Sequence, residues 1–182
     1  MLELDGMDEW REGDLMLRCG WGAESRMVTA RGHSAYSHIG ILHYAQAEGR
    51  WMVVHAVPAE DEPELLKAEP VEVFFGADRA KAGAWMRVEC EDSIARAAAR
   101  YALGKVADSV LFDNDYLLAD TSRLYCSELV WQSYMHQGLD ITAGRRHSVP
   151  EFFCKEGECI FPSDIEQSEM TLFVKPFKTK TL

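Results

Sequence analysis

The chain has 182 residues, 47% hydrophobic and 27% charged, with 19 basic residues against 30 acidic ones and a net charge of −11. That length and hydrophobic content fit one folded domain over residues 1–182 and exclude a disordered chain or a repeat array. The negative field repels a phosphate backbone and the basic residues form no stripe, so nucleic acid is excluded as an expected partner.

The apolar run Trp51-Met52-Val53-Val54 stops at His55, far short of the ~20 residues that span a bilayer, so no membrane span is expected. The acidic opening, Met1 to Trp10, has neither the basic nor the apolar region of a secretory signal, and a cytoplasmic location follows as the expectation. The cysteines, Cys19, Cys90, Cys126, Cys154 and Cys159, are odd in number and irregularly spaced, which leaves at least one free thiol.

In chain order, Gly13-Asp14 is a turn ahead of a first strand at Leu15-Met16-Leu17. The polar stretch from Gly20 to Ser34 reads as a loop with a single helical turn. Tyr36 to Tyr44 and Trp51 to Val57 are two apolar runs joined through Gly49, a β-hairpin. Alternation puts His38, Gly40 and Leu42 on one face, with Val53, His55 and Val57 beside them on the partner strand. Ala59 to Pro70, acidic and proline-bearing, reads as a surface connection; Val71 to Phe75 and Ala84 to Val88 read as strands. Asp92-Ser93 caps a helix over Ile94 to Leu103 that ends at Gly104. Asp120-Thr121-Ser122 caps a second helix to about Gln137, stopped by Gly138, with Cys126 in its first turn or two. The remainder, Leu139 to Leu182, carries a loop, a short helix near Pro150 to Lys155, and a strand at Met170 to Val174. Strands first and helices later predict an α+β fold with an antiparallel sheet packed against helices.

A thiol is a nucleophile as thiolate, and its pKa falls at a helix N-terminus beside an imidazolium. Cys126 meets the first condition, and first-turn amides there can hold an oxyanion. His38 is the candidate base, since Gly40 leaves room beside it for a helix end, and His55 on the paired strand can orient it. The residues alone leave open that Cys126 is a small buried hydrophobe and that the histidines are satisfied core groups. His33, His38 and His43 with Cys19 do not converge as metal ligands, because alternation sends His38 and His43 to opposite faces. Cys154 and Cys159 read as incidental thiols of a surface turn; no metal and no cofactor is expected.

Gly13-Asp14-Leu15, Tyr36-Ser37-His38-Ile39-Gly40-Ile41, Val54-His55-Ala56, Tyr125-Cys126-Ser127-Glu128-Leu129-Val130-Trp131 and Phe161-Pro162-Ser163-Asp164-Ile165 lie in this order over nearly the whole chain. Together they resemble the permuted NlpC/P60 papain-like hydrolases of the YiiX/YebB type. The resemblance implies a circularly permuted papain-like fold, a sheet or barrel against helices, in which the histidine precedes a catalytic cysteine at a helix N-terminus. It implies Cys126 as nucleophile, His38 as general base and His55 as third polar group, where many relatives carry Glu. The implied activity is that of a cysteine peptidase or amidase acting through a thioacyl-enzyme on a small peptide or amide, of cell-wall type or an amidated metabolite. Gly104-Lys105-Val106-Ala107-Asp108 resembles a family stretch without its tyrosine, and Asp108 is given no role. Tyr36, Tyr125, Ser127 and Glu128 read as packing and helix-start residues. Two rivals stand beside this reading: a thiol-dependent acyltransferase or lipid hydrolase of related permuted folds, and a peptide- or amine-binding module without turnover.

Overall fold

The computed structural model of the chain describes residues 2–58, 64–148 and 157–179. Its elements run β1 (Leu2–Glu3), β2 (Leu15–Cys19), α1 (Ala23–Gly32), β3 (His38–Ala45), β4 (Arg50–His55), β5 (Lys67–Pro70), α2 (Val71–Phe74) and β6 (Ala82–Val88). They continue with α3 (Asp92–Ala107), β7 (Leu111–Phe112), β8 (Arg123–Leu124), α4 (Cys126–Met135), β9 (His147–Ser148), β10 (Glu158–Cys159), α5 (Pro162–Glu166), β11 (Thr171–Pro176) and β12 (Lys178–Thr179). The antiparallel sheet has the order β11-β6-β2-β3-β4-β5, as the α+β expectation requires.

Every residue of β2 is buried, because the sheet is covered on both faces at its centre. Leu15, Leu17, Ile39, Ile41 and Val54 turn to one face and pack under Ala98, Ala99 and Ala102 of α3 and Leu129, Val130 and Tyr134 of α4. Met16, Leu42, Val53 and Trp85 turn to the other, against Val71, Phe74, Phe75 and Phe177. The period of two in the sequence thus sorts the hairpin residues between two cores.

Gly13-Asp14 locks this sandwich. Gly13 has φ +86°, and a Cβ there would lie 2.5 Å from the Ala95 carbonyl oxygen on α3, so only glycine fits. The Tyr134 hydroxyl donates to the Gly13 carbonyl at 2.6 Å. The buried Asp14 carboxylate accepts from Trp85 Nε1 at 2.9 Å and from both Nε and a terminal nitrogen of Arg87 at 2.8 Å.

The hairpin forms with Ile41 opposite Val54 and Ala45 opposite Arg50, and Gly49 takes φ +64° in the turn. Several expectations are corrected. The loop read over Gly20 to Ser34 contains the ten-residue helix α1, none of whose residues is buried; without an apolar stripe, it leaves no helical period to read. Val71 to Phe75, read as a strand, opens as helix α2, because Val71 and Phe74, three apart, both point into the second core. Helix α3 runs through Gly104 to Ala107, since open space around Gly104 imposes no stop. Helix α4 begins at Cys126, and Arg123–Leu124 ahead of it pairs with β7. Lys67–Pro70, the end of the supposed surface connection, is strand β5, and its Glu69 is buried. Residues 59–63 and the helix read near 150–155 lie outside the described residues.

Candidate active site

Cys126 is the first residue of α4, with Tyr125 as the extended N-cap. Two hydrogen bonds fix what lies ahead of it: the Ile160 backbone N–H donates to the Tyr125 hydroxyl at 2.8 Å, and the Ser127 hydroxyl donates to the Ile160 carbonyl at 2.7 Å. The polar groups flanking Cys126 therefore pin a distant loop to the helix start; this is the packing role read for Tyr125, whereas Ser127, read as satisfying helix N–H groups, donates to the Ile160 carbonyl instead. Cys126, His38, Arg18, Ser37 and Tyr116 line one cavity of about 150 Å³ with Met27, Val28, Val57, Phe112, Ile160 and Phe161, so its walls are mainly apolar.

His38 opens β3 and His55 closes β4. Gly40 is what lets the second histidine in: a Cβ there would lie 2.4 Å from Val53 Cγ1 and 3.1 Å from His55 Cβ. Its role differs from the expected one, since the space it leaves serves the paired strand and not a helix end. His38 Nε2 and His55 Nδ1 are 2.9 Å apart, and the rings meet edge to face. The Phe74 ring packs on both, at 5.7 Å from the His38 ring and 5.1 Å from that of His55. His55 is fully buried, whereas His38 is partly accessible.

Behind His55 stands a group the sequence reading missed. His55 Nε2 lies 3.1 Å from Glu69 Oε1, and Arg79 donates to Glu69 Oε2 at 2.7 Å. Arg18 reaches within 3.9 Å of Oε1, donates to the Phe74 carbonyl at 2.7 Å, and lies over the Phe74 ring. The acidic, proline-rich run around Glu69 concealed it. The signal was local: Glu69 pairs with Val53, two residues from His55, and so shares its face.

Burial dominates the electrostatics. It pushes the Cys126 thiol up to about 11, although the Ile39 and Ser127 backbone amides pull the other way. With burial set against the helix-start amides and no imidazolium beside it at rest, the thiol stays above its ordinary value. Burial, then the Arg18 charge, holds His38 well below the ordinary imidazole value. Burial lowers His55 to about 4 against the opposing pull of Glu69. Burial raises the Glu69 carboxyl, but His55 and the Arg79 guanidinium outweigh it and keep Glu69 ionised. The resting site is a neutral thiol and two neutral imidazoles backed by a carboxylate.

The other sequence candidates fall elsewhere. His33 caps the end of α1 in the left-handed region, and His43 pairs with Glu12 at 3.2 Å. Cys159, read as part of a surface turn, is buried on β10, because that strand lies over the core and the cavity; Cys154 lies outside the described residues. Asp108 is the C-cap of α3.

The architecture is one already known. The protein yiiX of Escherichia coli O157:H7, described as a metalloprotein and as DUF1105, superposes with a TM-score of 0.72 at 19% identity, over 91% of this chain and 96% of that one. No family model and no curated protein matches the sequence. The likeness defines the fold, a mixed α and β architecture of the yiiX kind. Among the described residues no three His, Cys, Asp or Glu side chains converge as metal ligands, and the facing nitrogens of His38 and His55 are engaged with each other.

Proposed function

We propose that the protein is a papain-like cysteine hydrolase of permuted order, cleaving an amide or peptide bond in a small substrate, with Cys126 as nucleophile, His38 as general base and His55 as its orienting partner. The observation that carries this reading is that His38, backed by His55 at 2.9 Å, lines the same cavity as a cysteine at the first position of a helix. The Ile39 backbone amide, the peptide group that follows His38, pulls the Cys126 thiol down against burial, which supports a helix start that faces the end of β3 carrying His38.

With substrate bound, His38 takes the thiol proton as the sulfur attacks the carbonyl carbon. Free N–H groups of the first turn of α4 stabilise the developing oxyanion. The C–N bond breaks as His38 returns the proton to the leaving nitrogen, and water, deprotonated by the same imidazole, hydrolyses the thioester. Turnover of a library of small peptides and N-acyl amides tests the reading: Cys126→Ser protein should lose activity with its fold intact, and an unaltered reaction would rule out the thiol nucleophile.

The apolar walls favour a second reading, in which the thiol accepts an acyl chain and passes it to an amine. A fluorescent acyl ester separates the two. Thioester mass on Cys126 that is discharged faster by an added amine than by water supports transfer, and its absence removes that reading.

A further inference from the structure

Resting on that reading of His38 and Cys126, we infer that Glu69 is a positioning residue that orders the protons along the His55–His38 pair, so that His38 presents a lone pair at Nδ1. A carboxylate has no proton to give, so the His55 nitrogen that faces Glu69 at 3.1 Å carries the hydrogen. That nitrogen and Glu69 Oε1 are both buried and, among the described residues, neither has an aligned hydrogen-bond partner, so at 3.1 Å each is the nearest group that can satisfy the other, with Arg18 further off at 3.9 Å from Oε1. A neutral imidazole with its proton on Nε2 offers a lone pair at Nδ1. Across the 2.9 Å bond His38 must then donate from Nε2, which strips the proton from its own Nδ1. Of the arrangements open to two neutral imidazoles, only this one satisfies all the facing atoms.

Reversing the order would put a hydrogen on His38 Nδ1, and the ring could not accept a proton there from the thiol. The carboxylate also acts during the reaction. When the S–H bond breaks and an N–H bond forms at His38 Nδ1, the new imidazolium donates to His55, and the Glu69 charge lies one ring further along. No proton passes to Glu69, and the proton held at Nδ1 leaves with the substrate nitrogen. The charges facing this chain are Arg18, Arg79 and Lys67, with Asp78 behind Arg79 at 3.9 Å. The cations keep Glu69 ionised, and thus acceptor-only.

The test reads the ring nitrogens directly. Long-range ¹H–¹⁵N spectra of the wild-type protein at pH 7.5, assigned with histidine variants, should show His38 and His55 both protonated at Nε2. A His38 protonated at Nδ1 in the wild type overturns the proposal by itself, whatever the variants do. Glu69→Gln keeps the shape but offers an amide N–H₂ to His55, so His38 should shift toward the Nδ1–H form. Its Cys126 should react with iodoacetamide at pH 8 at least roughly tenfold more slowly, with Glu69→Asp recovering part of the rate. A folded Glu69→Gln protein with wild-type tautomers and reactivity also overturns it. The two readings fail differently: if Cys126→Ser retains turnover, the hydrolase assignment falls, while the nitrogen spectra still decide the role of Glu69.

Discussion

At the scale of single residues, Cys126 and the proposed base His38 line one cavity, and burial favours the uncharged form of each. A thiol held near 11 by burial ionises progressively across the accessible range, so the rate of Cys126 alkylation by iodoacetamide should climb steadily from pH 7 to pH 10. A plateau below pH 7 would show a preformed thiolate and contradict this account. The two histidines should also separate kinetically. On the proposed mechanism, His38→Ala removes the group that carries the proton and should lower kcat by roughly 10²- to 10⁴-fold. His55→Ala removes only an orienting and charge-stabilising neighbour, and its loss should be smaller. Circular dichroism checks the folds, and a His55→Ala enzyme as active as wild type would strike His55 from the site.

Among the secondary-structure elements, the hairpin carries the site, and its register depends on one missing side chain. Gly40→Ala places a methyl 2.4 Å from Val53 Cγ1, 3.0 Å from the Val54 carbonyl and 3.1 Å from His55 Cβ. Two of these neighbours are the β4 backbone oxygen and a Cβ fixed to it, so the strand itself must shift. We expect a loss of about 1–3 kcal/mol, read as a lower urea midpoint. Reduced turnover should accompany it, and an unchanged midpoint would mean that β4 moves freely. The same hairpin was legible in the sequence, because period-two apolar runs and a turn glycine are local signals. So were the strand at β6, the body of α3, and Cys126 near the start of α4. Other features obey distant contacts. Val71-Glu72-Val73-Phe74 has strand composition, but Val71 and Phe74 are drawn into the second core together and the segment coils. Glu69 sits in an acidic run whose average says surface, yet its own side chain meets two arginines and a histidine from other parts of the chain. The Cys126, His38 and His55 candidates were readable as residue types in order; the carboxylate behind them was a tertiary fact.

For the molecule as a whole, buried titratable groups make stability depend on pH in a definite direction. His55, lowered from 6.5 to about 4, binds a proton more readily when unfolded, so its contribution is lost as pH falls from 6.5 toward 4. Glu128 works in the opposite sense. It lies fully buried in the first turn of α4, with Oε1 accepting from Gln132 at 3.0 Å and Oε2 without an aligned hydrogen-bond partner among the described residues. Burial, with Asp113 nearby, raises it from 4.5 to about 9. The folded state therefore holds a proton that the unfolded state releases, and stability falls as pH rises from 4.5 to 9. Between 4.5 and 6.5 the two trends oppose each other. Of these two, the Glu128 trend alone continues above 6.5, joined near pH 9 by the buried Cys126 and Cys159 thiols, and the net charge of −11 adds self-repulsion in the same direction. Each pKa unit corresponds to about 1.4 kcal/mol, so the loss attributable to Glu128 is on the order of several kcal/mol by the alkaline end. Glu128→Gln keeps the shape and the Gln132 contact but has no proton to lose. Its urea midpoint should lie close to that of the wild type at pH 5 and rise above it increasingly toward pH 9. Midpoints that run parallel across that range would mean that Glu128 is already ionised in the folded protein, and that the first turn of α4, the Tyr125 backbone amide included, compensates the charge more than burial opposes it.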